Sequence, residues 1–178
     1  MSYTIEVHKH RLAAWAACRA ASVNGCRFKV QLGATILEES GFDAAFSLTD
    51  LSTASDVDAV HARWRKVIIK KSAKHGLDFT HGVSAKLINI YLKVRFVCGG
   101  DHADKRVSNL HPPIDALLLQ ELAKQDFGGE AKQWRKFGQA RWSKFDSATY
   151  QSAIELIRQT LPAGTPLWKI EEHWEGFQ

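Results

Sequence analysis

The stretch Val83-Ser84-Ala85-Lys86-Leu87-Ile88-Asn89-Ile90-Tyr91-Leu92-Lys93-Val94-Arg95-Phe96-Val97 decides the fold. Its apolar residues cover nearly the whole circumference of a helix, and such a helix belongs at the centre of a bundle. Its neighbours supply amphipathic partners. Ser55-Asp56-Val57-Asp58 reads as a capping box that opens a helix running to about Lys74, with Val57, Val60, Trp64, Val67 and Ile68 facing inward. His75-Gly76 and His81-Gly82 punctuate a tight connection between the two helices.

Further out, Val7–Ser22 reads as a helix capped by Thr4 and ended by Asn24-Gly25, with Leu12, Trp15, Ala16 and Arg19 at helical spacing. Arg27–Ser40 is a second helix, and residues 42–54 are a loop with a turn of helix. Cys98–Asn109, rich in charge and containing Gly99-Gly100, reads as a surface loop. His111-Pro112-Pro113 must be extended, which places Asp115 as the N-cap of a helix over Ala116–Lys124. Further helices are expected over Glu130–Ala140, Ser147–Thr160 and Pro166–Trp174. With no alternating strand pattern and no internal repeat, residues 1–178 are expected to form one compact all-α domain of about seven to nine helices.

Composition narrows the function classes. No apolar run approaches a membrane span and the first residues hold no apolar core of a signal peptide, so a membrane partner is not expected. The three cysteines, Cys18, Cys26 and Cys98, match no common zinc or redox spacing and suggest reduced thiols in a cytoplasmic protein. Cys98, His102 and His111 with Asp101 and Asp104 are metal-ligand types, but at irregular spacing, so neither a metal nor any other cofactor is expected. P-loop, nucleophile-elbow and zincin motifs are absent.

Charge is unevenly placed. Residues 61–106 hold eleven cations against three carboxylates, a net of +8, and the remainder of the chain is net −3. A basic middle between mildly acidic flanks points to a polyanionic partner, with DNA the leading candidate through 61–106. The run Arg63–Lys74 reads equally as a solvated helix end favoured by the helix dipole. Trp134-Arg135-Lys136-Phe137 and Arg141-Trp142-Ser143-Lys144-Phe145 could stack on bases or lock a C-terminal helix onto the core.

Thr80-His81-Gly82-Val83-Ser84-Ala85-Lys86-Leu87 resembles the Leu-Pro-Gly-Val-Gly-x-Lys hairpin of helix-hairpin-helix DNA glycosylases, the group that contains 8-oxoguanine glycosylases and endonuclease III. His111-Pro112-Pro113-Ile114-Asp115 is similar to that group's Val-Pro-Val-Asp segment. The resemblance implies an α-helical fold, a helix-hairpin-helix element, and excision of a damaged or unusual base from DNA. It makes Lys86 the amine nucleophile of a Schiff-base lyase and Asp115 the carboxylate that assists base departure. Lys70, Lys71, Lys74, His81, Gly82 and Ser84 would then contact DNA, the glycines allowing close approach of backbone amides to phosphate. Ser84 stands where the group has a second hairpin glycine and His81 where it has proline. No C-terminal four-cysteine cluster is present, so an iron–sulfur site is not expected. Gly82 to Lys86 also reads as an ordinary turn and helix start. A non-catalytic adaptor binding protein or nucleic acid, and an enzyme on small nucleotides, are the alternatives.

Overall fold

A computed structural model describes residues 2–51 and 56–176. The chain folds as an all-α domain, and among the described residues the only β-type pairing is an isolated bridge between Val23 and Cys26. The order is α1 (Ile5–Ala21), α2 (Val30–Glu39), α3 (Val57–Lys74), α4 (His81–Leu92), a π-helical continuation (Lys93–Asp101), α5 (Lys105–Ser108), α6 (Ala116–Lys124), α7 (Ala131–Ala140) and α8 (Ser147–Thr160), closed by a C-terminal 3₁₀ helix (Leu167–His173).

Helix α4 sits where its composition demands. Val83, Leu87, Ile88, Tyr91 and Leu92 enter one apolar cluster with α1, α2 and α3. Ala85 enters a second, built from α6, α7, α8 and the C-terminal segment. Thr80 caps α4 by accepting from the Val83 amide at 3.1 Å. Asp115 caps α6 by accepting from the Leu118 amide at 2.9 Å, and Thr4 caps α1 by accepting from Val7 at 3.3 Å.

Several expectations change. The expected capping box at the head of α3 rests on Ser55, which lies outside the described residues, and the Asp58 carboxylate is engaged elsewhere, with His111 and Arg158. Val67 is exposed rather than inward, because His61, Arg65, Ile68 and Ser72 form the buried stripe of α3. Helix α2 begins at Val30, three residues later than its pattern suggests, because residues 23–26 close a tight turn and the Ser22 hydroxyl bonds the backbone of Phe28, leaving Lys29 extended.

The 98–109 segment is more ordered than a surface loop. The π-helical continuation runs to Asp101, Asp104 opens the short α5, and Val107 and Leu110 anchor it in the first cluster. Arg106 folds back onto the Asp104 carboxylate at 2.7 Å and the Leu48 carbonyl at 3.0 Å. On α1 the inward face is Ala13, Ala14, Ala17, Cys18 and Ala21, and small residues there let α1 lie close against α4. Leu12 and Trp15 therefore point away from the core.

Candidate functional site

Lys86 lies in the first half of α4 and Asp115 at the head of α6, and the two meet. Lys86 Nζ donates to Asp115 Oδ2 at 2.9 Å. Asp115 Oδ2 also accepts from Trp174 Nε1 at 3.0 Å, while its Oδ1 takes the α6 cap bond. Both carboxylate oxygens are thus oriented. The pair lies on the wall of a largely apolar cleft of about 400 Å³, bounded by Ala16 and Ala20 of α1, Ile90, Pro113, Trp142 and Trp174. That is room for one small organic ring system with its attached sugar. The Lys86 ammonium also lies 5.5 Å from the centre of the Trp142 ring, within cation–π reach.

A second ion pair shares the cleft. Lys93 and Glu171 are in direct contact, and Lys93 lies 6.0 Å from the Trp174 ring. Burial pushes the Lys86 amine below the ordinary lysine range, and the Asp115 carboxylate opposes that shift. Burial pushes the Glu171 carboxyl up, with Lys93 opposing. The cleft therefore offers an amine and an acid displaced toward neutrality, in a water-poor setting.

Behind the pair, a buried polar chain fixes the segment that carries Asp115. Arg65 donates to His61 Nδ1 at 2.6 Å, and His61 Nε2 donates to Asn89 Oδ1 at 2.7 Å. The Asn89 amide then donates to the Pro112 carbonyl and to the Tyr150 hydroxyl, each at 2.9 Å. Tyr150 in turn donates to His111 Nδ1 at 3.1 Å, and His111 Nε2 donates to Asp58 at 2.7 Å. Only one direction of donation satisfies every atom, which makes both histidines neutral Nε2–H tautomers. Burial holds both histidines below their ordinary range, and the His111 hydrogen bond draws Asp58 down. Arg65 completes the assembly by lying 4.4 Å over the Tyr150 ring. Through Asn89, one turn beyond Lys86, the chain ties the extended Pro112–Asp115 backbone to α4.

The hairpin departs from its expected role. The Gly82 amide donates to the Phe145 carbonyl at 3.1 Å, and the Ser84 amide to the Thr80 carbonyl at 3.0 Å. Both residues are buried, and Thr80 Oγ1 donates to the Ser143 carbonyl at 2.8 Å. A Cβ at Gly82 would fall 1.8 Å from the Trp142 carbonyl oxygen. The glycine is required for close approach, but the approaching group is the chain's own 142–145 backbone rather than phosphate. His81 is half-buried and accepts from Arg65 Nε at 3.4 Å. Gly82, Ser84 and the hairpin amides are thereby removed from the set that could grip DNA in this structure.

The basic middle also thins out on folding. Arg65, Lys86 and Arg95 are buried, and Lys71, Lys93 and Arg106 pair with Glu39, Glu171 and Asp104. Arg63, Lys66, Lys70, Lys74 and Lys105 remain outside the core, and none lines the cleft. In the 134–145 stretch, Trp134, Phe137 and Phe145 lock into the second cluster while Trp142 walls the cleft. Sequence patterning does not single out Glu171, Trp174, Lys93 or Asn89. Asn89 carries a signal, being a neutral polar residue in an otherwise apolar stretch, whereas Glu171 and Trp174 reach the site only through tertiary folding.

Among the described residues, no group of three or more His, Cys, Asp or Glu side chains is placed to hold a metal ion, and no helix is long and apolar enough to cross a membrane. His111 is committed to Asp58 and Tyr150. Cys18, Cys26 and Cys98 are free thiols. Comparison with family models, curated proteins and solved structures gave no match.

Proposed function

We propose that the cleft cleaves an N-glycosidic bond in DNA, with Lys86 as the amine and Asp115 as the carboxylate. One observation carries this reading: two residues 29 positions apart in sequence meet at 2.9 Å on the wall of an apolar, tryptophan-lined cleft. Departure of a base leaves positive charge on the sugar, and a fixed carboxylate stabilises that charge most effectively where water is excluded. Lys86 first loses a proton to solvent, so Asp115 stays ionised to face the developing charge, and the departing base takes its proton from water. The Lys86 lone pair then forms a bond to the anomeric carbon as the bond to the base breaks, and the electron pair leaves with the base. Ring opening converts the adduct to a Schiff base, from which strand cleavage by elimination can follow. Burial favours this sequence because it makes the neutral amine accessible at lower pH. Trp142 and Trp174 offer flat apolar faces for a base drawn out of its stack.

The test is borohydride trapping on a panel of DNA duplexes containing abasic sites and modified bases. A covalent adduct that vanishes in Lys86→Ala is the expected result. No adduct with the native protein across the panel, together with no base release, refutes the reading. A second reading is favoured by the occupied hairpin amides: hydrolysis of free nucleosides or nucleotides in the same cleft. Release of base from free nucleosides without activity on DNA would establish it instead.

A further inference from the structure

Four of the six large apolar side chains that stand exposed among the described residues lie on or just before α1: Tyr3 (59% exposed), Ile5 (64%), Leu12 (52%) and Trp15 (55%). Such a concentration on one helix is unfavourable in water and marks a surface that meets a partner. Ile5, Leu12 and Arg19 recur every seventh residue and form one ridge, since seven residues return a helix to nearly the same face. Trp15 and His8 flank the ridge on one side. On the other side Ala16 and Ala20 form a wall of the cleft that holds Lys86 and Asp115.

The ridge is basic as well as apolar. Helix α1 carries Lys9, Arg11 and Arg19 against one carboxylate, Glu6, and that carboxylate is engaged by the buried Arg95 at 3.2 Å. Among the described residues, Lys9, Arg11 and Arg19 make no salt bridge. Arg11 lies 5.0 Å over the Tyr3 ring, and the Tyr3 hydroxyl bonds to His8 at 2.8 Å, so the aromatic and cationic groups form a packed unit. Inside the cleft the two cations are matched by two carboxylates, which leaves it without net charge to attract phosphate. Positive charge interleaved with exposed rings is the chemistry that tracks a polynucleotide backbone while stacking its bases.

We infer that the outward ridge of α1, with Trp15 as stacking platform and Lys9, Arg11 and Arg19 as phosphate contacts, is the surface on which a DNA strand docks beside the cleft. The inference rests on the nucleic-acid reading of the cleft given above. It moves the strand contact from the hairpin to α1, which lines the cleft directly through Ala16 and Ala20, small side chains on one flank of the ridge.

Fluorescence anisotropy with a labelled single-stranded oligonucleotide of about 15 nucleotides tests the ridge on the 178-residue chain. Trp15→Ala should weaken binding about tenfold, and the double variant Arg11→Glu/Arg19→Glu should weaken it further while lowering the slope of log K against log salt by about two. Both changes lie on the surface, and circular dichroism verifies that the helical content is kept. If both variants bind within about twofold of the native protein while Lys70→Glu/Lys74→Glu loses binding, the end of α3 is the interface and the inference fails. Concentration-dependent self-association that Trp15→Ala abolishes would also overturn it, since a second copy would then be the occupant. Trapping run in parallel separates the two claims. An adduct with ridge-independent binding overturns the ridge alone, ridge-dependent binding without an adduct overturns the catalytic reading alone, and the absence of both overturns both.

Discussion

Replacing Asp115 by asparagine removes one charge and puts an amide donor where an oxygen accepted from Lys86 and Trp174, and its effect on stability can be worked out. The new side-chain amide would keep an oxygen for the Leu118 N–H, so the α6 cap survives. What is lost is the anion 2.9 Å from Lys86 Nζ, worth about 6 kcal/mol at an effective dielectric constant of about 20. Lys86 is 5% exposed and, among the described residues, donates to no other acceptor, so the ammonium would be left buried with only the Trp142 ring beside it. Breaking such a pair from one side costs about 3–5 kcal/mol, and we expect that loss at pH 7. The converse change, Lys86→Met, leaves a carboxylate that still accepts from Trp174 and Leu118, and should cost less, about 1–2 kcal/mol.

The pH dependence gives a second check on the same variant. The Lys86 amine already lies below the ordinary lysine value of 10.5 in the folded state, and loss of Asp115 removes the main influence holding it up. The unfolded chain then binds more protons than the folded one between the two values, so stability rises with pH across that window. The deficit of Asp115→Asn relative to native should therefore shrink as pH rises from neutrality toward the ordinary lysine value of 10.5. Urea unfolding followed by tryptophan fluorescence measures both quantities. A deficit that is constant with pH, or a Lys86→Met cost larger than that of Asp115→Asn, would refute the assignment of a buried, charge-dependent pair.

Two further outcomes follow from the same geometry. His61 and His111 are both held below 6.5 by burial, so the unfolded state takes up protons that the folded state refuses. Their contribution is present above pH 6.5 and is lost as pH falls from there toward the folded values. The urea midpoint should accordingly drop between about pH 7.5 and about pH 5, with a smaller drop in His111→Gln. Gly82→Ala should destabilise by about 2–4 kcal/mol, because its methyl would meet the Trp142 carbonyl, and near-ultraviolet circular dichroism should register the displaced tryptophan.

Much of the fold is legible in the sequence because its signals are local. Asp115 and Thr4 announce their caps by type and position, and the apolar circumference of 83–97 announces the central helix. The pattern misleads where tertiary packing overrides it. Leu12 and Trp15 sit at core spacing, yet the alanines between them face inward, because α1 and α4 pack too closely for larger side chains. Order along the chain and the hairpin resemblance together pick out Lys86 and Asp115. The residues that complete their site, Trp142, Glu171 and Trp174, arrive from segments whose own sequence says only that they pack. The charge count misleads for a related reason. A sequence total cannot distinguish a solvated lysine from Arg65 or Arg95, each of which commits its charge to interior hydrogen bonds.

The position of the cleft follows from the two apolar clusters that α4 divides. Where they part, side chains along α4 and its continuation cannot all find apolar neighbours, and Lys86, Asn89 and Lys93 fall at that seam. Each is satisfied differently. Asn89 closes a polar chain that needs no solvent, and Lys93 takes Glu171. Lys86 takes an aspartate already required to cap α6, so a single carboxylate serves the fold and the site together. This arrangement has a consequence for ligand binding. An electrically balanced cleft gives no long-range pull on an anion, so affinity for a nucleic acid must come from cations outside it and selectivity from the rings within. Substitutions on the α1 ridge should then act mainly on binding and its salt dependence, whereas substitutions at Lys86 and Asp115 should leave oligonucleotide affinity nearly intact while abolishing adduct formation. A Lys86→Ala protein that lost oligonucleotide affinity as severely as Arg11→Glu/Arg19→Glu would show that the cleft itself binds phosphate, and the proposed division of labour would be wrong.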